Sequence, residues 1–289
     1  MNNIISAIIN LVENPKVELI RKGSSHNRAN SMGEPLEEYV KDIFSGSMDE
    51  TDDQIRNVII SNTFSYLGNK NNPPDIMLRG GNNGAAIEVK KIETLGASLA
   101  LNSSYPKNKL YADSTLILPS CRQAEEGWSE RDMIYVVGVV KKNTTKLTNL
   151  SFVYGEDYCA DKIVYERILS SVKSGIESIG NIELEETNEL AHVNRVDPLG
   201  ITYFRARGMW GIKNPLSTFD YVYTPKTNAI FNFMCIINDE KFNEFDNVSE
   251  LFDLASHNNK LEISDIRIKD PNNPANLKTA KLITFYIGA

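Results

Sequence analysis

Apolar residues in the opening stretch, "MNNIISAIINLVENPKVELIRKG", fall at Ile4, Ile5, Ile8, Ile9, Leu11 and Val12. That spacing marks one face of a helix. Neither a basic start nor a small-residue cleavage site accompanies it, so a packed first helix is predicted rather than a secretion signal. A second helix is predicted over "GEPLEEYVKDIF", where Leu36, Tyr39, Val40, Ile43 and Phe44 form one stripe. Glu34, Glu37 and Glu38 occupy its first turns, where negative charge suits the helix dipole. After the polar linker "SGSMDETDD", the β-branched and aromatic run "NVIISNTFSYLG" ends at a glycine and predicts a strand with its turn. Further strands are predicted at "STLILP", "MIYVVGVV" and "LSFVYG", followed by a helix through "DKIVYERILSSVKSGIESI". Beyond "NIELEETNEL" come strands at "AIFNFMCIIN", "LEISDIRIK" and "AKLITFYIG", with a helix near "VSELFDLASH". This order predicts an α/β fold, a mixed central sheet flanked by helices with an additional C-terminal β-rich region. A soft boundary near residue 190 separates a core with a helical N-terminus, 1–190, from a region 191–289 that stands apart or completes the sheet.

Composition adds limits. The 289 residues are 41% hydrophobic and 24% charged, ordinary globular material for one principal core. No apolar run approaches the roughly 20 residues needed to cross a bilayer, and a cytoplasmic location is expected. Cys121, Cys159 and Cys235 are widely spaced and odd in number, which predicts free thiols rather than a disulfide framework or zinc site. The formal net charge of −7 argues against non-specific coating of nucleic acid. It does not argue against a basic cleft, because Arg205, Arg207, Lys213 and Lys226 fall in a stretch with few acids.

The candidate chemistry lies in "NPPDIMLRGGNNGAAIEVKKIE", Asn72 to Glu93. Strand side chains alternate, so Glu88 and Lys90 share one face while Ile87 and Val89 share the other. The "GGNN" cluster supplies residues that tolerate positive φ, as a tight hairpin requires. With the turn centred between Gly81 and Asn82, antiparallel pairing sets Asp75 across from Glu88, Ile76 across from Ile87 and Leu78 across from Ala85. Two carboxylates so close repel and would take up a proton or splay apart. A divalent cation resolves the conflict: carboxylate oxygens and waters are the ligands Mg²⁺ prefers, and the ion keeps positions open for a phosphate. Lys90 beside them can hydrogen-bond an attacking water and offset charge developing on the phosphate. An E-x-K triplet alone fits any charged surface strand; the Pro-Asp, the turn and the register raise it to a candidate site.

This stretch resembles the active-site motif of the PD-(D/E)XK nuclease superfamily, with Pro74 and Asp75 followed by Glu88, Val89 and Lys90. The resemblance implies a nuclease-like sheet, catalytic roles for Asp75, Glu88 and Lys90, and a metal held by Asp75, Glu88 and Val89. It also implies a supporting glutamate on the preceding helix. Glu37 is the first candidate because it borders the apolar stripe, with Glu34 and Glu38 as alternatives. In finer detail, "NRANSMGEPLEEYVKDIF", "LALNSSYPKNKL" and "FRARGMWGIKNP" look like a restriction endonuclease of the NgoPII type, a likeness running from the first helix past Pro215. It implies a type II, Mg²⁺-dependent enzyme that cuts a short palindrome in duplex DNA, with GGCC the target associated with the type. Water would attack the phosphodiester and leave a 5′-phosphate. A palindrome is matched most simply by a homodimer with one active site per strand. A cognate DNA methyltransferase would be the genetic partner that protects the host.

The DNA-facing candidates also stand on their residue chemistry. Arg205 and Arg207 alternate onto one face of a strand, and such a pair can read guanine O6 and N7 in the major groove. Trp210 can pack beside a base or sugar, and Lys213 can neutralise a phosphate. Asn102, Ser103 and Ser104 offer groove or phosphate hydrogen bonds, Lys107 and Lys109 backbone clamps, and Arg28 and Asn30 a polar arm. Two rival readings are a structure-specific or repair nuclease of the same superfamily and a DNA-binding module without catalysis.

Overall fold

The computed structural model describes residues 2–19, 35–69, 72–101, 104–180, 182–185 and 189–288. Its longer helices are α1 (Ile4–Glu13), α2 (Pro35–Ser45), α3 (Asp53–Thr63), α4 (Lys162–Glu177) and α5 (Val248–His257). Nine strands form the main sheet: β1 (Phe64–Tyr66), β2 (Ile76–Leu78), β3 (Ala85–Ile92), β5 (Lys109–Tyr111), β6 (Glu130–Val140), β7 (Leu147–Tyr154), β12 (Phe231–Asn238), β13 (Leu261–Lys269) and β14 (Leu277–Ile287). Their order across the sheet is β1-β2-β3-β6-β7-β12-β14-β13, with β5 paired to β6. β3 runs parallel to β6 and β7 parallel to β12, while the other neighbours are antiparallel, so the sheet is mixed. β4 (Ser98–Leu101) and β11 (Trp210–Lys213) make a two-stranded ribbon. β8 (Glu183–Leu184), β9 (Ala191–Asn194) and β10 (Phe204–Ala206) make a small third sheet.

The central strands are apolar on both faces because both faces are covered. On one face Ile76, Ile87, Val89, Ile134, Val136, Phe152 and Phe233 pack against Ile4, Ile8 and Leu11 of α1, Leu36, Val40 and Phe44 of α2, and Leu251 of α5. On the other, Met77, Ala86, Tyr135, Val137 and Met234 pack with Leu99, Trp128, Tyr158 and Phe219. All three cysteines are free and buried in these cores, as their spacing predicts. No helix among the described residues is long and apolar enough to cross a membrane.

Two predicted strands are corrected. Most of "NVIISNTFSYLG" is helix, with only Phe64–Tyr66 extended. The cause is a cap: the Asp52 carboxylate accepts from the Gln54 and Ile55 N–H groups at 2.8 and 3.2 Å and starts α3, which buries Arg56, Ile60 and Thr63 on one side. In "STLILP" there is no strand, and of Ser114–Leu118 only Ile117 is buried. The carbonyls of Ala112 and Ser114 are taken instead by the Arg122 guanidinium, at 2.6 and 2.9 Å.

Candidate active site

The hairpin carrying the site forms in the expected register. Ile76 pairs with Ile87 and Met77 with Ala86, and the Asp75 N–H donates to the Ile87 carbonyl at 3.1 Å. The turn needs glycine: Gly80 and Gly81 sit at φ +139° and +58°, conformations that side-chain-bearing residues rarely adopt. Gly68 has φ +79°, and a Cβ there would lie 2.1 Å from the Asp75 carbonyl oxygen, so only glycine lets the loop after β1 close on the site. The peptide between Pro73 and Pro74 is cis.

Within this frame, the Val89 N–H donates to Asp75 Oδ2 at 2.7 Å and fixes the carboxylate beside β3. Lys90 Nζ lies 2.6 Å from Glu88 Oε1 and 3.7 Å from Asp75 Oδ2. Thus one ammonium serves two carboxylates. Glu88 is 8% exposed, and its Oε2 is buried with no hydrogen-bond partner among the described residues. Burial, reinforced by the charge of Glu88, pushes the Asp75 carboxyl up to about 7. Burial opposes the charge on Lys90, but Glu88, Asp75 and Glu37 outweigh it and hold the ammonium above its ordinary value.

The structure separates the helix glutamates. Glu37 acts electrostatically on both Asp75 and Lys90. Glu38 instead pairs with Lys41 and Arg56, each at 2.8 Å, in a network where Arg56 Nε also donates to Asp42 at 2.7 Å. Glu34 lies outside the described residues, as do Arg28, Asn30, Asn102 and Ser103.

The donor set suits a hard cation. It offers carboxylate oxygens from Asp75 and Glu88, which share the Lys90 ammonium. Glu88 Oε2 is an oxygen without a hydrogen-bond partner among the described residues, and the raised Asp75 is a carboxylate short of positive charge. Among the described residues no group of three or more His, Cys, Asp or Glu side chains is close enough to hold a metal, so such an ion would keep water ligands.

The residues predicted to face DNA divide into three groups. Arg205 and Arg207 meet on one carboxylate: Glu189 accepts from Arg205 at 2.6 and 2.7 Å and from Arg207 at 2.7 Å. Trp210 and Lys213 lie on β11, which pairs with β4, and β4 follows β3 after a short turn. The ribbon therefore grows from the strand that carries Glu88 and Lys90. Trp210 stands edge-on to Tyr105 and Tyr165, with centroids 6.4 and 5.5 Å away, and exposed Lys213 accepts at its carbonyl from the Tyr158 hydroxyl. Ser104 is half-buried beyond β4. Lys109 is paired with Glu130 at 2.8 Å, and Lys107, expected as an outward clamp, is buried at 5% exposure. Glu189, Tyr105 and Tyr165 escape a sequence reading because each takes its place through a partner far along the chain.

A mixed sheet flanked by helices, with two carboxylates and a lysine gathered on a buried hairpin, defines a nuclease-like α/β protein. The chain belongs to the NgoPII restriction endonuclease family, whose model matches residues 2–269. It is 54% identical over 285 residues to the type II restriction enzyme NgoPII of Neisseria gonorrhoeae, spanning 99% of this chain and 100% of that protein. No solved structure matches it. Its activity is that of a type II restriction enzyme, site-specific hydrolysis of double-stranded DNA.

Proposed function

We propose that the enzyme cuts a short palindrome, with GGCC the first candidate, in a Mg²⁺-dependent reaction that leaves a 5′-phosphate and a 3′-hydroxyl. The observation that carries this is the Asp75–Glu88–Lys90 cluster, in which one buried carboxylate oxygen has no hydrogen-bond partner among the described residues. Asp75, Glu88 and the Val89 carbonyl would hold the ion, with Glu37 supporting from α2. When bound, the ion neutralises phosphate charge and makes water a better nucleophile at neutral pH. Lys90, held between the two carboxylates, orients the water and offsets charge building on the non-bridging oxygens as the bond to the 3′-oxygen breaks.

Arg205 and Arg207 would read guanine edges, exchanging the Glu189 carboxylate for base acceptors. Trp210, Lys213, Lys109 and Ser104 would line the duplex beside them. The working unit would be a homodimer. Support for it comes from α4, which buries none of its residues yet exposes Ile163, Val164, Ile168 and Val172 by 71, 41, 49 and 42%. A helix with such a stripe needs a partner surface. A methyltransferase of the same specificity would protect the host.

The test is digestion of unmethylated plasmid with Mg²⁺ or with EDTA, followed by sequencing of the fragment ends. Discrete bands with Mg²⁺ alone, ending in 5′-phosphates at one palindrome, are expected. Cleavage that persists in EDTA, or ends spread over unrelated sequences, would contradict the proposal.

A further inference from the structure

Lys107 lies between β4 and β5, is 5% exposed, and its Nζ has no hydrogen-bond partner among the described residues. Its backbone is held on both sides by a single phenol. The Lys107 N–H donates to Tyr135 Oη at 2.7 Å, and the Tyr135 hydroxyl donates to the Lys107 carbonyl at 3.1 Å. Tyr135 stands on β6 directly opposite Glu88 of β3. The clamp therefore places Lys107 on the face of the sheet to which Glu88 points. Glu88 is the carboxylate whose charge acts on Lys107, yet the two form no ion pair. The Tyr105 ring also stands beside the ammonium, 4.8 Å away at its centroid, and the buried Cys159 thiol interacts with it electrostatically.

Two buried polar atoms of opposite sign on this face of the sheet thus have no hydrogen-bond partner among the described residues: Glu88 Oε2 and Lys107 Nζ. Burying an ammonium without an acceptor destabilises a fold, and an apolar side chain of equal length would fill the place without that penalty. Lys90 does not share this condition, since Glu88 and Asp75 engage its charge. Lys109 does not either, because Glu130 holds it. Among the described residues, Lys107 is an ammonium beside the hairpin that no carboxylate pairs with.

We infer that Lys107 is a second active-site lysine that contacts a non-bridging oxygen of the scissile DNA phosphate bound beside Glu88. The inference rests on the reading of Asp75, Glu88 and Lys90 as the active site. Lys90 then serves the carboxylates and the attacking water, and Lys107 serves the phosphate.

The test uses the full-length protein and duplexes carrying its own mapped cleavage site, with either the natural phosphate or an uncharged methylphosphonate at the scissile position of both strands. Binding is measured by fluorescence anisotropy in EDTA, for wild type and Lys107→Met. Wild type must first cut the natural duplex with Mg²⁺; if it does not, the active-site reading itself fails. The expected result is that Lys107→Met binds the natural duplex about tenfold more weakly, the worth of one charge-assisted hydrogen bond. Methylphosphonate costs wild type a similar factor but costs the variant little, since both changes remove the same contact. The variant should also melt no lower than wild type. A cutting wild type whose binding ignores the methylphosphonate would overturn the inference without any variant. So would losses that simply multiply, or a variant that melts lower and binds the methylphosphonate duplex far more weakly than wild type does.

Discussion

Asp75→Asn removes one of two facing carboxylates while keeping an oxygen to accept the Val89 N–H. In the folded protein the Asp75 carboxyl titrates near 7 against an ordinary 3.8, because burial and Glu88 both penalise its ionised form. Between those values the folded chain binds more protons than the unfolded chain, so its stability falls as pH rises, and above about 7 the penalty is complete. A gap of about 3 pH units, at about 1.4 kcal/mol each, amounts to about 4 kcal/mol. The side chain is 17% exposed, so solvent screens little of it. At roughly 2 °C per kcal/mol for a chain of this size, the metal-free Asn variant should melt about 8 °C above wild type at pH 8. The difference should shrink as pH is lowered toward 5, where wild-type Asp75 is protonated. The assay is thermal unfolding in EDTA at half-unit pH steps, with Mg²⁺ added in a parallel series to stabilise wild type selectively. A difference that does not change between pH 5 and 8, or a wild type more stable than the variant at pH 8, would refute the claim that the two carboxylates oppose each other.

Three further predictions follow from the packing. Arg56→Met should destabilise the fold by about 3 to 5 kcal/mol in urea unfolding, because it removes the guanidinium that pairs with the buried Asp42 carboxylate at 2.7 Å. Gly68→Ala should lose cleavage while DNA binding in EDTA stays within a few-fold of wild type, since the new methyl would press on the Asp75 carbonyl rather than on the DNA face. Ile168→Asp, on the exposed stripe of α4, should sediment as a monomer where wild type sediments as a dimer, with the melting temperature of the monomer unchanged.

Period and turn chemistry made much of the framework legible. The stripes of α1 and α2 have one helical period throughout, and the register that joins Ile76 to Ile87 follows from glycines that only a turn would need. Asp75, Glu88 and Lys90 were therefore readable as neighbours. α3 was not, because Val58, Ile59, Ile60 and Thr63 carry a strand's composition, and a single capping carboxylate on Asp52 decided the conformation. Residues set by distant partners were also hidden. Lys107 is turned inward by a tyrosine 28 residues further on, and Arg205 of β10 and Arg207 just beyond it are gathered by Glu189 from an acidic stretch that reads as plain surface. Such placements depend on which strands become neighbours, which no local pattern encodes.

The proposed hydrolysis of the DNA strand by Asp75, Glu88 and Lys90 stands or falls on single-turnover cleavage by Lys90→Ala. Purified wild type and variant are mixed in excess over a duplex bearing the mapped site with Mg²⁺, and binding of the same duplex is measured in EDTA. Binding within a few-fold of wild type is expected, with a cleavage rate lower by about a thousandfold, the scale of removing one transition-state charge contact. Cleavage by the variant at close to the wild-type rate would contradict it.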